Sequence, residues 1–185
     1  MLLKRIWRKL FPKQFTIEEL SMMQCNKLRL DGASIGKNVD ILNSRIEGGA
    51  LASLLTIGDN VTITGAQILL HDASTYKTLG WTKVGEVRIG DNVFIGINSI
   101  ILPNVHIGSN VIIGAGCVVA KDIPDNSVVV GNPARVIGSF DAYIDRQKKK
   151  MQEEVCIDHT LFELNKEAHG DEINKLKSNG VGFVR

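Results

Sequence analysis

Aromatic residues and long apolar runs are scarce in this chain. Of its 185 residues only 5% are aromatic, whereas glycine occurs 18 times. No apolar stretch approaches the roughly 20 residues that a membrane-spanning helix needs. The charges interleaved in the opening MLLKRIWRKLFPK leave no continuous apolar core for a signal peptide. We therefore expect a soluble protein of one domain, with a thin aliphatic core.

The cysteine count and the net charge are also low. The first gives no sign of a disulfide-bonded or metal-binding protein, and the second gives no sign of a nucleic-acid-binding one. The three cysteines, Cys25, Cys117 and Cys156, are odd in number and lack C-x-x-C or metal-binding spacing. They favour a reduced, cytoplasmic setting and suggest no catalytic thiol. The formal net charge of +2 is too small to argue for nucleic acid as a partner.

Against this background, an aliphatic residue returns at every sixth position from Ile89 onward. The series is Ile89, Ile95, Ile101, Ile107, Ile113 and Val119, with a second small or apolar series at Val93, Ser99, Val105, Val111 and Cys117. Alternate side chains of a strand share a face, so both series can point into one core. Units of six residues cannot bury a core alone, but stacked coils can share one. The spacing predicts a parallel β-helix.

Glycine and asparagine fill the gaps between these strands. We expect them at corners that need positive φ or a locally bonded side chain. The residues are Gly90, Asn92, Gly96, Asn98, Asn104, Gly108, Asn110, Gly114 and Gly116.

The hexads lose their phase twice before Ile89. The step from Ile41 to Ile57 is not a multiple of six, which predicts a small loop around residues 47–51. The step from Leu69 to Ile89 is out of phase again, so HDASTYKTLGWTKVGE should leave the coil as a long polar excursion.

Both ends of the chain have helical patterns. Leu3, Trp7, Leu10 and Phe11 form one apolar stripe beside basic residues. This stripe either packs on the protein itself or gives residues 1–13 a weak contact with the anionic inner face of a membrane. Thr16 to Glu19 form a capping box that predicts a helix through about Gln24.

After Ile137 we expect one charged helix over residues 140–154 and another near 161–177, with Gly180 as its terminator. The predicted parts are an N-terminal helical segment (1–28), a β-helix (29–138) with an excursion loop (70–87), and a helical C-terminal extension (139–185).

Tandem [LIV]-G-x-x-x-x hexads that end in VVGNPARVI, residues 129–137, resemble the hexapeptide-repeat acyltransferases. The resemblance covers roughly residues 30 to 138 and is closest to the maltose, galactoside and capsular-sugar O-acetyltransferase branch. It implies a left-handed β-helix with three hexads per coil, a homotrimer and acetyl-CoA as donor, without a metal. Handedness comes from the resemblance alone, because crossovers between parallel strands are normally right-handed.

The resemblance implies transfer of an acetyl group to a hydroxyl of a sugar or sugar precursor, in cell-surface polysaccharide biosynthesis. An amino sugar or serine is an alternative acceptor. A zinc enzyme of the carbonic anhydrase type would need three histidine ligands, and the predicted core offers only His71 and His106. A non-catalytic scaffold is a further alternative.

Transfer to a hydroxyl requires a general base, and histidine has a pKa near the operating pH. His71 opens the excursion and stands where the family has its catalytic histidine; the alternative is an ordinary loop histidine. Asp72 is a candidate to orient the imidazole, as is a more distant carboxylate or a backbone carbonyl. His106 should point outward from a coil, whereas His159 and His169 belong to the tail.

The family pattern also implies a donor site. Phe94 and Ile97 would line the pantetheine arm, Ala115 and Ala120 would offer backbone contacts, and Lys121 and Arg135 would meet the phosphates. Arginine suits a bidentate phosphate contact better than lysine does; the alternative is that both cations are solvent charges.

Two aromatic residues of the excursion, Tyr76 and Trp81, could stack on an acceptor sugar. Packing on a neighbouring subunit would explain Trp81 equally well.

The outer faces of the predicted prism differ in polarity. Phe94 and Ile112 should stack on one face and Ile100 and Val118 on a second, while the third carries His106. Because exposed contiguous apolar patches are unfavourable, two apolar faces predict burial against neighbouring subunits.

Overall fold

The computed structural model describes residues 15–158 and 170–184. Contacts divide the chain into two units, Met1–Phe140 and Asp141–Arg185. Within the described residues, no helix is long and apolar enough to cross a membrane. The apolar stripe of residues 1–13 and its predicted membrane contact lie outside this part of the chain.

The described part of the first unit opens with helix α1 (Ile17–Leu30). The predicted capping box is present: Thr16 Oγ1 accepts from the backbone of Glu19, whose carboxylate accepts from Thr16 N. The helix continues past Gln24 to Leu30 because Cys25 and Leu28 are buried in the core. Ser21 Oγ, on the same face, accepts a hydrogen bond of 2.8 Å from Ile41 N.

Short parallel strands stack above α1 into three sheets. The first contains β1 (Ser34–Ile35), β4 (Leu55–Ile57), β9 (Val87–Ile89) and β12 (Val105–Ile107). The second contains β2 (Val39–Leu42), β5 (Val61–Thr64), β10 (Val93–Ile95), β13 (Val111–Ile113) and β15 (Ser127–Val130), with β16 (Arg135–Gly138) antiparallel at its end. The third contains β3 (Arg45–Ile46), β6 (Gln67–Ile68), β11 (Ile100–Ile101) and β14 (Val118–Val119).

The strand register confirms the predicted parallel β-helix. Val93 pairs with Val111, one coil of 18 residues later. Both hexad series point inward, and Ile95 and Ile113 are fully buried. Ser99 is buried as well, but its hydroxyl donates to Gly114 O and accepts from Cys117 N. The polar member of the inward series is therefore hydrogen-bonded inside the core.

The corners confirm the prediction for asparagine and correct it for glycine. The hexad asparagines Asn92, Asn98, Asn104 and Asn110 all have positive φ. Of the hexad glycines only Gly116 does, whereas Gly90, Gly96, Gly108 and Gly114 do not. Their requirement is space: a Cβ on Gly96 would lie 2.7 Å from Ala115 N on the next coil. Glycine is needed there because adjacent coils approach too closely for a side chain.

The first phase break is a 3-10 helix, Gly49–Leu54, that overlaps the predicted loop. It lengthens the first coil, so that Val39 pairs with Val61, 22 residues later.

The second phase break begins earlier than predicted. Ile68, not Leu69, is buried and pairs with Ile101, because the corner at Gly65 is one residue shorter than the corner at Asn98. Leu70 and Val87 are also fully buried, so the excursion spans 71–86 rather than 70–87. It contains strand β7 (His71–Asp72), helix α2 (Tyr76–Leu79) and strand β8 (Lys83–Val84), which pairs antiparallel with β7.

Helix α3 (Phe140–Glu153) begins with the last residue of the first unit. The second unit continues with strand β17 (Val155–Ile157), helix α4 (Gly170–Asn179) and strand β18 (Gly182–Val184). The predicted first helix is confirmed, and Gly180 ends α4 with φ of 79°. The extension also contains two strands that were not predicted, β17 and β18, which form a parallel pair. Residues 161–169 of the second predicted helix lie outside the described part.

Candidate active site

A cleft of about 530 Å³ opens where the excursion leaves the coil. Leu70 is still in the core, so the half-exposed His71 is the first residue whose side chain can leave it. Glu47, Leu69, Asp72, Lys83 and Ala120 are among the other lining residues. The structure thus brings the predicted base together with Ala120 of the predicted donor site.

The imidazole of His71 contacts a carboxylate from the coil below. Its Nδ1 lies 2.9 Å from Glu47 Oε2. The same oxygen accepts hydrogen bonds from two backbone N–H groups, those of Leu70 at 2.5 Å and His71 at 3.1 Å. The Glu47 side chain is only 19% exposed, compared with 42% for His71. The contact is therefore shielded on the carboxylate side and open on the imidazole side.

Asp72, the other candidate to orient the imidazole, makes its hydrogen bond to a different group. Asp72 Oδ1 accepts a hydrogen bond of 2.9 Å from Ser74 N. Hydrogen bonds from the backbone and side chain of Ser74 lower the pKa of the Asp72 carboxyl. Successive side chains of a strand point to opposite faces, which explains why His71 and its neighbour diverge on β7.

The predicted donor residues lie along exposed edges of the coils. Phe94 and Ile97 are 42% and 55% exposed. Gly116 N donates to Ile97 O, which places Ala115 and its neighbour beside Ile97 on the adjacent coil. Phe94 and Ile97 can therefore offer an apolar surface to a ligand, and Ala115 can offer a backbone group.

The two predicted phosphate-binding cations follow the last coils. Lys121 is exposed just after β14, and Arg135 is exposed at the start of β16. A hydrogen bond from Ala134 N to Val118 O places the start of β16 against β14. Both cations therefore belong to the same end of the solenoid as Ala120.

Tyr76 and Trp81 are exposed and do not line the cleft of His71. Thr75 Oγ1 donates to Trp81 O, which closes the turn that carries them. Neither of the predicted acceptor aromatics is thus brought to the base within the chain.

His106 points outward from the first sheet, as predicted, into a different cleft. Its Nε2 lies 3.7 Å from Glu86 Oε2, and Arg88 Nε lies 2.8 Å from Glu86 Oε1. The hydrogen bond from Arg88 lowers the pKa of the Glu86 carboxyl. Within residues 15–158 and 170–184, no three His, Cys, Asp or Glu side chains are grouped as metal ligands.

Sequence reasoning missed Glu47 and Lys83 as lining residues of the cleft. The sequence shows the phase break that begins at residue 47. An acidic residue at that break could have indicated a partner for the histidine. What the sequence did not show is that β3 pairs with β6, which brings residue 47 beside the strand that leads to His71.

Comparison with known proteins agrees with this architecture. Residues 86–121 match the family model described as bacterial transferase hexapeptide (six repeats). Over 124 residues the chain is 48% identical to protein CapG of Staphylococcus aureus, which covers 64% of this chain and 72% of that protein. The chain therefore belongs to the hexapeptide-repeat acetyltransferases, enzymes built on a left-handed β-helix. The predicted family, fold class and enzyme class are confirmed.

Among solved structures, a maltose O-acetyltransferase from Clostridium difficile 630 aligns with a TM-score of 0.52 and 32% identity, over 75% of this chain and 84% of that one. A hexapeptide-repeat acetyltransferase from Vibrio cholerae, complexed with acetyl coenzyme A, aligns with a TM-score of 0.51 and 31% identity, over 59% and 61%.

Serine acetyltransferase 1 of Arabidopsis thaliana is 45% identical over 107 residues, which cover 58% of this chain but 32% of that protein. The chain thus spans most of CapG and about a third of this plant relative.

Proposed function

We propose that this enzyme transfers the acetyl group of acetyl-CoA to a hydroxyl of a sugar or sugar precursor of a cell-surface polysaccharide, with His71 as general base. The observation that carries the proposal is the imidazole of His71, held by Glu47 at the mouth of a cleft that Ala120 also lines. Nδ1 is engaged by the carboxylate, which leaves Nε2 for the acceptor.

In the proposed reaction, His71 acts first as a base and then as an acid. Nε2 of His71 takes the proton of the acceptor hydroxyl as its oxygen attacks the carbonyl carbon of the thioester. The carbon–sulfur bond then breaks, and the proton on the imidazolium passes to the departing thiolate. The products are the acetyl ester and free CoA, and His71 returns to its neutral form.

Acetyl-CoA as the donor is supported by the Vibrio cholerae relative, which was crystallised with that molecule. In this chain the exposed Phe94 and Ile97 are suited to the pantetheine arm, and the exposed Lys121 and Arg135 to the phosphates. We further propose that the protein assembles as a homotrimer, which would place these edges against a neighbouring subunit.

A sugar acceptor is favoured by the similarity to CapG and to the maltose O-acetyltransferase. Serine is the second candidate, favoured by the 45% identity to serine acetyltransferase 1 of Arabidopsis thaliana. Direct competition tests the two: acetyl-CoA is incubated with neutral sugars, nucleotide-linked sugars, amino sugars and serine, and products are identified by mass spectrometry. Acetylation of serine alone would contradict the sugar assignment.

His71→Ala should abolish transfer to the true acceptor while leaving assembly and CoA binding nearly intact. Removal of a general base typically lowers the rate by about 10²- to 10⁴-fold. The lost contact with Glu47 is partly exposed, so the free energy of unfolding should fall by only about 1 kcal/mol. Turnover, calorimetric CoA binding and the melting temperature are measured together. Near-normal turnover of the variant would remove His71 from the mechanism.

A further inference from the structure

We infer that Glu47 is a positioning residue that fixes the tautomer of His71 and stabilises its protonated form during transfer. The inference rests on the proposed function, because it concerns the same histidine. It begins from one oxygen, Glu47 Oε2, which receives three hydrogen bonds, from Leu70 N, His71 N and His71 Nδ1.

The two backbone bonds determine the direction of the third. A peptide N–H can only donate, so Oε2 of Glu47 is an acceptor that carries no proton. Nδ1 of His71 lies 2.9 Å from that oxygen and must therefore be the protonated nitrogen. A neutral imidazole has one protonated and one free nitrogen, which leaves the lone pair on Nε2. The histidine is thus prepared as a base on the side that faces away from Glu47.

The position of Glu47 is itself fixed by the fold. It directly follows β3, and its own N–H donates to Ile68 O at 3.2 Å. Ile68 ends β6, the strand that leads into His71. The carboxylate is 19% exposed, so its attraction to a protonated imidazole is weakened by solvent less than that of a surface pair.

A purely structural role is the competing explanation, because the two backbone bonds alone would hold the start of the excursion. Glu47→Gln separates the two roles. The glutamine side chain has the same shape, and its amide oxygen can accept all three hydrogen bonds, but it carries no charge. If the charge matters, the variant keeps the loop and loses stabilisation of the imidazolium.

Steady-state kinetics of Glu47→Gln should show a change in kcat and almost none in KM. Glu47→Gln should lower kcat about ten- to a hundredfold and leave the KM for acetyl-CoA within about threefold, because the carboxylate acts through His71 and not on the donor. Without the anion, the imidazolium that forms during transfer is less stabilised, which is the reason for the expected fall in kcat.

A second readout needs no acceptor. Nitrogen-15 NMR of labelled histidine reports which ring nitrogen carries the proton, and His71→Ala identifies the signals of residue 71. In the unmodified protein, neutral His71 should be protonated at Nδ1. Glu86→Gln is the matched control, because Glu86 lies 3.7 Å from His106 in the other cleft. That variant should move only the His106 signals and leave turnover unchanged.

The outcomes separate the inference from the function on which it rests. If Glu47→Gln keeps normal kcat while Glu47→Ala is impaired, Glu47 only anchors the loop and the inference is wrong. An Nε2-protonated His71 in the unmodified protein would overturn it as well. If His71→Ala retains turnover, His71 is not the base of the proposed reaction, whereas the NMR comparison still decides whether Glu47 sets the tautomer.

Discussion

At the scale of single residues, Asp72 and Glu47 flank the same histidine but make different contacts. Asp72 accepts from Ser74 N, and the asparagine in Asp72→Asn can accept the same bond. We therefore expect Asp72→Asn to keep turnover within about threefold of normal, since the bond that Asp72 makes is to Ser74 N and not to the imidazole. The assay is steady-state kinetics beside Glu47→Gln. A loss as large as in Glu47→Gln would show that Asp72 acts on the base.

Arg135 offers a second test at this scale. Arg135→Ala should weaken acetyl-CoA binding about ten- to a hundredfold, because a lost charge-assisted phosphate contact costs about 1.5–3 kcal/mol. Arg135→Lys should recover part of the affinity if the contact is bidentate. Calorimetry measures both, with Arg88→Ala as a control, since Arg88 is exposed on the first sheet. Unchanged affinity in Arg135→Ala would remove this arginine from the donor site.

At the scale of elements, adjacent coils approach so closely that specific glycines have no room for a side chain. Gly96→Ala would bring a Cβ to 2.7 Å from Ala115 N, whereas a Cβ at Gly138 would meet nothing within 4 Å. We expect Gly96→Ala to lower the free energy of unfolding by about 1–3 kcal/mol, as overpacking does. Gly138→Ala should change it by less than about 0.5 kcal/mol. Urea denaturation compares the two, and equal stabilities would contradict the packing explanation.

The spacing of residues in the sequence predicted some elements of the fold and not others. From Ile89 onward the period is strict, so strands and inward residues followed directly from spacing. The corner at Gly65 is one residue short, and spacing alone placed Leu69 in the core instead of Ile68. His71 was predictable because a long polar excursion begins there. Glu47 was not, because its contact depends on the register between a 22-residue coil and the next one.

At the scale of the whole molecule, the outer faces of the coils from Val87 onward have the polarity that the sequence predicted. Phe94 stacks on Ile112 and Ile100 on Val118, while Arg88 and His106 occupy the first sheet. We expect sedimentation to give a homotrimer at micromolar concentration. Ile100→Glu should dissociate it, because a buried unpaired charge is unfavourable. Thr56→Glu, on the polar sheet, should leave it assembled. A stable monomer of the unmodified protein would contradict the trimer.

The bond between Ser21 and Ile41 has a consequence for solubility. A solenoid of identical coils ends in open strand edges, and such edges invite the coils of another molecule to continue the stack. Here Ser21 Oγ accepts the hydrogen bond of Ile41 N in β2, the edge strand at one end of the second sheet. At the other end, β16 pairs antiparallel with β15. These hydrogen bonds use backbone groups that the coil of another molecule would need in order to pair with the sheet. Each end of the second sheet is thus a poorer template for the coil of another molecule than an open parallel strand would be.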